Sequence, residues 1–197
     1  SITIDPVNAN NVYACDVYSR YGILKSTDGG STWSQIVNGL SSQYDRMVSG
    51  IALKNSDTLF ISTGEGAATN PPRPGNGVFR SDNGGSSWSP AGLQDSTVLS
   101  IGSNVFGTIF AGTESYGLKF SNDNGSTWST HPQINSTTRV YEVEVQDSVV
   151  VVASTAGIYL STNWGINFTN TGLTNNFNFD VSIQEISSTI ELWSTSY

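Results

Sequence analysis

Charge is scarce in this chain: 12% of its 197 residues are Asp, Glu, Lys or Arg, and eight basic residues stand against sixteen acidic ones. A net charge of -8 and a pI near 4.3 leave no basic stripe to follow a phosphate backbone, which excludes the usual modes of nucleic-acid binding. Cysteine is nearly absent. A single thiol, Cys15, can form no internal disulfide and cannot build a cysteine-ligated zinc site. No apolar run approaches the ~20 residues a membrane helix needs, so no membrane insertion is expected, and no charged start followed by an apolar stretch reads as a leader. The one histidine, His131, precedes Pro132 in a presumed connection without a visible catalytic partner and reads as a surface-loop residue. Every Gly-Gly pair lies in a turn motif described below, so no phosphate-cradling loop is present.

Small polar residues and glycine are plentiful instead, a composition of short strands and many turns. Four octets align: Ser26-Thr-Asp-Gly-Gly-Ser-Thr-Trp33, Ser81-Asp-Asn-Gly-Gly-Ser-Ser-Trp88, Ser121-Asn-Asp-Asn-Gly-Ser-Thr-Trp128 and Ser161-Thr-Asn-Trp-Gly-Ile-Asn-Phe168. Their first residues are 55, 40 and 40 positions apart, a spacing that suits one four-stranded sheet per repeat. The longer first interval holds a Pro/Gly-rich insert, residues 64–77. Ahead of each octet the order is a strand, a turn, a second strand, then glycine and a short third strand, with period-two alternation and β-branched residues at each place. In the third repeat these are Val98–Gly102, Gly107–Thr113 and Tyr116–Ser121.

The spacing predicts an all-β β-propeller of four-stranded antiparallel blades, about four and a half of them, forming a partial ring. The boundaries are blade 1 over residues 1–40, blade 2 over 41–93, blade 3 over 94–135, blade 4 over 136–173 and an incomplete blade 5 over 174–197. Residues 178–185 and 189–195 supply a first and a second strand of that last repeat, and no third strand or octet follows. A ring with such an end is expected either to continue in a longer polypeptide or to be completed by another chain.

Within each octet the Asp or Asn, namely Asp28, Asn83, Asp123 and Asn163, can accept from backbone N–H groups that a hairpin turn leaves unpaired. Gly30, Gly85, Gly125 and Gly165 suit a position of positive φ. The closing ring, Trp33, Trp88, Trp128 or Phe168, is expected to bury on the order of 150–250 Å². One carboxylate per turn, replaced by an amide in two copies, is too few ligands for calcium, so no metal and no cofactor is expected.

The octet, Ser-x-Asp-x-Gly-x-Ser/Thr-Trp, resembles the Asp-box (BNR-type) repeat of sialidases, sortilin-type receptors, xyloglucan-degrading propellers and photosystem assembly factors. The copies at Asp28 and Asp123 match it at each fixed position. A sialidase would need an arginine cluster, and none of Arg20, Arg46, Arg73, Arg80 and Arg139 stands in the Arg-Ile-Pro context of that family. The segment Ile2-Thr-Ile-Asp-Pro-Val-Asn-Ala-Asn-Asn-Val-Tyr13 is similar to phrases ahead of a box in the xyloglucan-degrading family. That resemblance implies Asp16 near the place of a catalytic aspartate, although the Gly-Gly pattern around it is missing. A glycosidase needs two carboxyls facing one bond across ~5–9.5 Å, and Glu65 or Glu114 would be the second.

In such a meander the second-to-third loops and the blade connections share one rim, with the octet turns on the opposite side. Loops on a rigid scaffold are where binding residues concentrate. The rim candidates are Tyr18, Arg20, Tyr44, Arg46, Arg73 and Tyr116. The resulting expectation is a non-catalytic, secreted or cell-surface propeller module that binds a protein or a glycan, or joins other subunits of an assembly. A glycoside hydrolase is the alternative.

Overall fold

A computed structural model describes residues 1–17, 21–65, 74–173, 178–186 and 189–196. All regular structure among the described residues is β. Blade 1 has strand order β1 (Ile2–Ile4), β2 (Val12–Asp16), β3 (Gly22–Ser26) and β4 (Ser34–Gln35). The next three sheets repeat it: β5 (Val48–Leu53), β6 (Leu59–Thr63), β7 (Val78–Ser81) and β8 (Ser89–Pro90); then β9 (Val98–Ser103), β10 (Ile109–Thr113), β11 (Leu118–Ser121) and β12 (Ser129–Thr130); then β13 (Val140–Gln146), β14 (Val149–Ser154), β15 (Gly157–Ser161) and β16 (Thr169–Asn170). A final antiparallel pair, β17 (Asn178–Ile186) and β18 (Thr189–Ser196), follows. The molecule is a partial β-propeller.

Each sheet twists out from a first strand that faces its counterparts in the neighbouring blades, and in blades 2, 3 and 4 the second strand is the most buried. In β6, β10 and β14 every residue is buried, as in LFIST, IFAGT and VVVVAS. Such strands are covered on both faces, which is why they read as nearly continuous apolar runs with small residues at the end. The core is therefore a series of layers between blades. Tyr13 and Ile23 of blade 1 pack with Val48, Leu59, Ile61 and Phe79 of blade 2. Phe60 and Val78 pack with Ile101 and Ile109 of blade 3, and Phe110 and Leu118 with Val143, Val150 and Phe168 of blade 4. Val181 and Ile183 of β17 close against Val151 and Ile158. The fourth strands are only two residues long in each of the four complete sheets.

The octets fold as one recurring turn. In the first, the Ser26 hydroxyl donates to Asp28 Oδ1 at 2.7 Å and accepts from the Gly30 N–H at 2.8 Å. Asp28 Oδ1 accepts from the Thr32 N–H at 2.8 Å and Oδ2 from the Thr32 hydroxyl at 2.5 Å. Asp123 repeats both bonds with Thr127. Asn83 keeps the backbone bond, to the Ser87 N–H, but its amide turns donor toward the Ser87 hydroxyl at 2.8 Å. Asn163 accepts from the Asn167 N–H at 3.0 Å. With these donors converging on it, each carboxyl is held well below the ordinary carboxylate range: Asp28 at about 2, chiefly through the Thr32 hydroxyl, and Asp123 at about 2, chiefly through the Thr127 hydroxyl.

The closing aromatic belongs to two blades. Trp88 Nε1 donates to Ile36 O of blade 1 at 2.9 Å, and Trp128 Nε1 to Ala91 O of blade 2 at 2.8 Å. The Phe168 N–H donates to Gln133 Oε1, outside blade 4, at 2.7 Å. Gly165 has a φ of 79° and lies so close to the Phe110 ring that a Cβ there would strike it. Trp33 departs from the expected burial. Its Nε1 turns back to Gly30 O within its own turn at 3.0 Å, and the side chain is 42% exposed, with no blade among the described residues packed beneath it.

Candidate functional site

The rim is assembled by backbone and side-chain bonds between second-to-third loops and blade connections. The Gly64 N–H donates to Met47 O, the Glu114 N–H to Thr97 O, the Gly117 N–H to Thr138 O and the Thr155 N–H to Arg139 O. Asp45, fully buried, ties the insert's end to the blade 1–2 connection. It accepts from the Asn76 amide at 2.9 Å, the Ser42 N–H at 2.8 Å and the Ser42 hydroxyl at 2.7 Å. Burial by itself would raise the Asp45 pKa, but the Asn76, Ser42 and Ser41 donors outweigh it and the group is held below its ordinary value.

On this scaffold Tyr21, Tyr44 and Tyr116 are 66%, 41% and 51% exposed. Tyr116 is fixed by its N–H bond to the Thr113 hydroxyl, and the Lys119 ammonium lies 5.8 Å from its ring centroid. Arg46 is half-buried, with Nε donating to Leu40 O at 3.2 Å. Tyr18, Arg20 and Arg73 lie outside the described residues.

The structure brings together two rim residues of opposite charge whose pairing was not expected. Arg139, at the blade 3–4 connection, reaches Glu114 of the blade 3 loop with N···O 3.5 Å, and its guanidinium sits 4.9 Å from the centroid of the Tyr141 ring. Arg139 Nε is buried and has no acceptor among the described residues. A signal was present in the sequence, since Glu114 follows the second strand of blade 3 and Arg139 lies between blades 3 and 4, both places on the rim side of a meander, but only the twist between adjacent blades decides that they meet. Glu65 is half-buried at the start of the insert and Asp16 exposed at the end of β2. The three candidate carboxyls thus stem from blades 2, 1 and 3, and Glu114 faces the Arg139 guanidinium. Arg80, on β7, is engaged by Asp82 off the rim.

Down the ring's axis the first strands line an open cavity of about 680 Å³. Its wall is polar where Ser49, Ser100, Glu142 and Glu144 face it. Ser100 links two blades there, donating to Glu142 Oε1 at 2.8 Å and accepting from the Val143 N–H at 3.1 Å.

His131 is not a surface-loop residue. It is 4% exposed, stacked edge-to-face on Phe168 at 4.9 Å and on Phe120 at 6.0 Å, with Nε2 3.4 Å from Ile166 O. Burial lowers its pKa, partly offset by the carbonyls of Ile166 and Gly165, so the ring is neutral at physiological pH. Cys15 is half-buried in the blade 1–2 layer and its thiol is raised by burial, which makes it a packing residue. No group of three or more His, Cys, Asp or Glu suited to a metal occurs among the described residues.

No protein-family model matches the chain, and no curated protein matches it in sequence. In structure it is similar to the GH74 xyloglucanase from Xanthomonas campestris, with a TM-score of 0.70 and 14% identity over 99% of this chain and 36% of that one. It is similar to the extracellular domain of a hybrid two-component system protein from B. thetaiotaomicron, with a TM-score of 0.66 and 17% identity over 100% of this chain and 25% of that one. It is also similar to YCF48 bound to D1 peptide, with a TM-score of 0.58 and 12% identity over 88% of this chain and 54% of that one. These likenesses show the β-propeller fold. The chain spans between about a quarter and about half of the length of these structures.

Proposed function

We propose that this chain is a non-catalytic Asp-box propeller module, secreted or displayed at a cell surface, that binds a protein or a glycan, or joins an assembly, through its rim. The observation that carries the reading is the exposure of Tyr44 and Tyr116 on loops whose backbones are bonded to the scaffold, with Tyr21 exposed as well. Rigid aromatics of this kind supply contact area at little entropic cost. The Arg139–Tyr141 stack adds a charged group beside them, with a buried Nε–H directed to no acceptor among the described residues. Support also comes from the structural neighbours, among which are a peptide-bound protein and an extracellular domain. Asp5, Asp28, Asp45 and Asp123 are displaced downward, the direction of structural acceptors.

A glycoside hydrolase is the second reading, favoured by the likeness to a xyloglucanase and by the exposure of Asp16 at the end of β2. Incubation with xyloglucan separates the two. The expected outcome is no release of reducing ends. Release that disappears in Asp16→Asn would replace the binding reading with the hydrolytic one. Binding itself is read by affinity electrophoresis on neutral glycans and by capture of partner proteins, each with the wild type and a Tyr44→Ala/Tyr116→Ala chain. Ligands retained by the wild type should be lost from the variant, and equal retention by both would remove the rim from the reading.

A further inference from the structure

On the face opposite the rim, one blade junction differs from its repeats. The octets of blades 2, 3 and 4 each abut the preceding blade, and the first-to-second turns of blades 1, 2 and 3 share a cap: Asn8, Asn55 and Asn104 accept from the N–H two residues on, at Asn10, Asp57 and Phe106. Where the octet of blade 3 meets blade 2, the contact is polar, with Lys54 Nζ donating to Asn124 Oδ1 at 2.6 Å. Where the octet of blade 2 meets blade 1, Lys25 Nζ donates to Gly84 O at 2.9 Å. Where the octet of blade 4 meets blade 3, the Asn104 amide donates to Trp164 O at 3.2 Å and two rings are added: Phe106 and Trp164 stack edge-to-face at 4.8 Å and 75°.

Four apolar residues lie on the two turns that meet there, each at a position that other repeats fill with something small or polar. Val105 and Phe106 replace Ala9–Asn10 and Ser56–Asp57, and Ile166 replaces the serine of the other three octets. Trp164 replaces Gly29, Gly84 and Asn124, and keeps their left-handed backbone, at a φ of 65° against 69°, 64° and 58°. Glycine and asparagine enter that region readily, whereas a bulky residue there is an outlier. Folding does not ask for these residues, because three octets make the same turn without them. Val105, Phe106 and Ile166 are also 73%, 72% and 67% exposed, so burial in this chain does not repay them. A local departure from the rule that the rest of the molecule keeps marks a functional position.

Beside the rings lies a cavity of about 270 Å³, walled by Phe110, Phe120, Trp164, Ile166, Pro132 and His131, with Thr108 and Asn122 at its edge and no Asp, Glu, Lys or Arg in its wall. The volume lies just below the range of small-molecule pockets and suits one large side chain. We propose that this junction is a docking site for a protein partner, which inserts one uncharged aromatic side chain between Trp164 and Ile166 while Val105 and Phe106 cover the surrounding surface. Two aliphatic residues beside two aromatic ones, with no charge in the wall, fit the buried centre of a protein interface. A saccharide would be expected instead to meet flat rings flanked by several polar groups.

N-acetylphenylalanine amide and methyl β-glucoside, titrated separately into the ¹⁵N-labelled full chain, test this by NMR. The aromatic amide should give saturable shifts at Phe106, Gly165 and Ile166. Trp164→Gly, Ile166→Ser and Phe106→Asn, which install the residues of the other repeats, should each weaken it at least tenfold, with the melting temperature unchanged or raised. The proposal is overturned by shifts from the glucoside rather than the amide, which would make this a sugar site. It is equally overturned by no saturable shift from either probe, or by a fall of several degrees in melting temperature in all three variants, which would make the side chains structural fillers.

Discussion

The first octet and the other three are the same turn in different surroundings. Asp28 and Asp123 hold the same pair of bonds to Thr32 and Thr127, and the two carboxyls are lowered alike. Their rings behave differently: Trp88 and Phe168 are 5% exposed, and Trp33 is 42% exposed. The capping network is thus a property of eight residues, whereas the burial of the ring belongs to whatever lies one blade earlier. Gly30 and Gly165 repeat the lesson, since a Cβ on Gly165 would strike Phe110 and one on Gly30 would meet only Trp33 of its own turn, at 3.7 Å.

Truncating the rings should open the widest gap. Trp88→Ala is expected to cost about 3–5 kcal/mol, the range of a large buried aromatic, plus the Ile36 carbonyl left without its donor. Trp33→Ala should cost under about 1 kcal/mol, as for a half-exposed surface residue. Urea unfolding of the two variants checks this, and equal losses would mean that Trp33 is covered in solution. Next, Gly30→Ala should cost about 1–2 kcal/mol for its backbone alone. Gly165→Ala should add about 1–3 kcal/mol of overpacking against Phe110, so its melting temperature should fall further. The smallest effect is the response to acid. Because Asp28 and Asp123 titrate lower when folded than when unfolded, their contribution is fully present above about pH 4 and is lost as the pH falls through about 2. Asp28→Asn/Asp123→Asn, which installs the residue of the other two octets, should flatten the stability profile between pH 4 and pH 2 by lowering stability above pH 4 while leaving that at pH 2 nearly untouched. An unchanged acid slope would assign that window to other groups such as Asp5 and Asp45.

These contrasts also explain how much was legible beforehand. The octet turns could be read residue by residue because their bonds span two to four positions, and the blades because second strands such as Leu59–Thr63 and Val149–Ser154 are covered on both faces. His131 looked exposed because the ring that covers it, Phe168, lies 37 positions later in another blade's octet. Glu114 and Arg139 were each placed on the rim, yet their meeting depends on the rotation between two sheets, which no local pattern encodes. The apolar junction was visible as four substitutions against the repeat, but Trp164 acquired a meaning only when its backbone proved to share the left-handed turn of Gly29 and Gly84.

The two-residue outer strands carry a consequence for life at high concentration. A strand at the margin of a sheet is a template on which a foreign chain can add its own ladder, and a propeller exposes one such margin per blade. In the four complete sheets the template is too brief to extend: Ser34–Gln35, Ser89–Pro90, Ser129–Thr130 and Thr169–Asn170 offer a couple of backbone groups each, all on polar residues or on a proline that has no N–H to give. Those four sheets, adhesive toward their neighbours within the ring, are thereby kept from growing outward from these margins into fibrils.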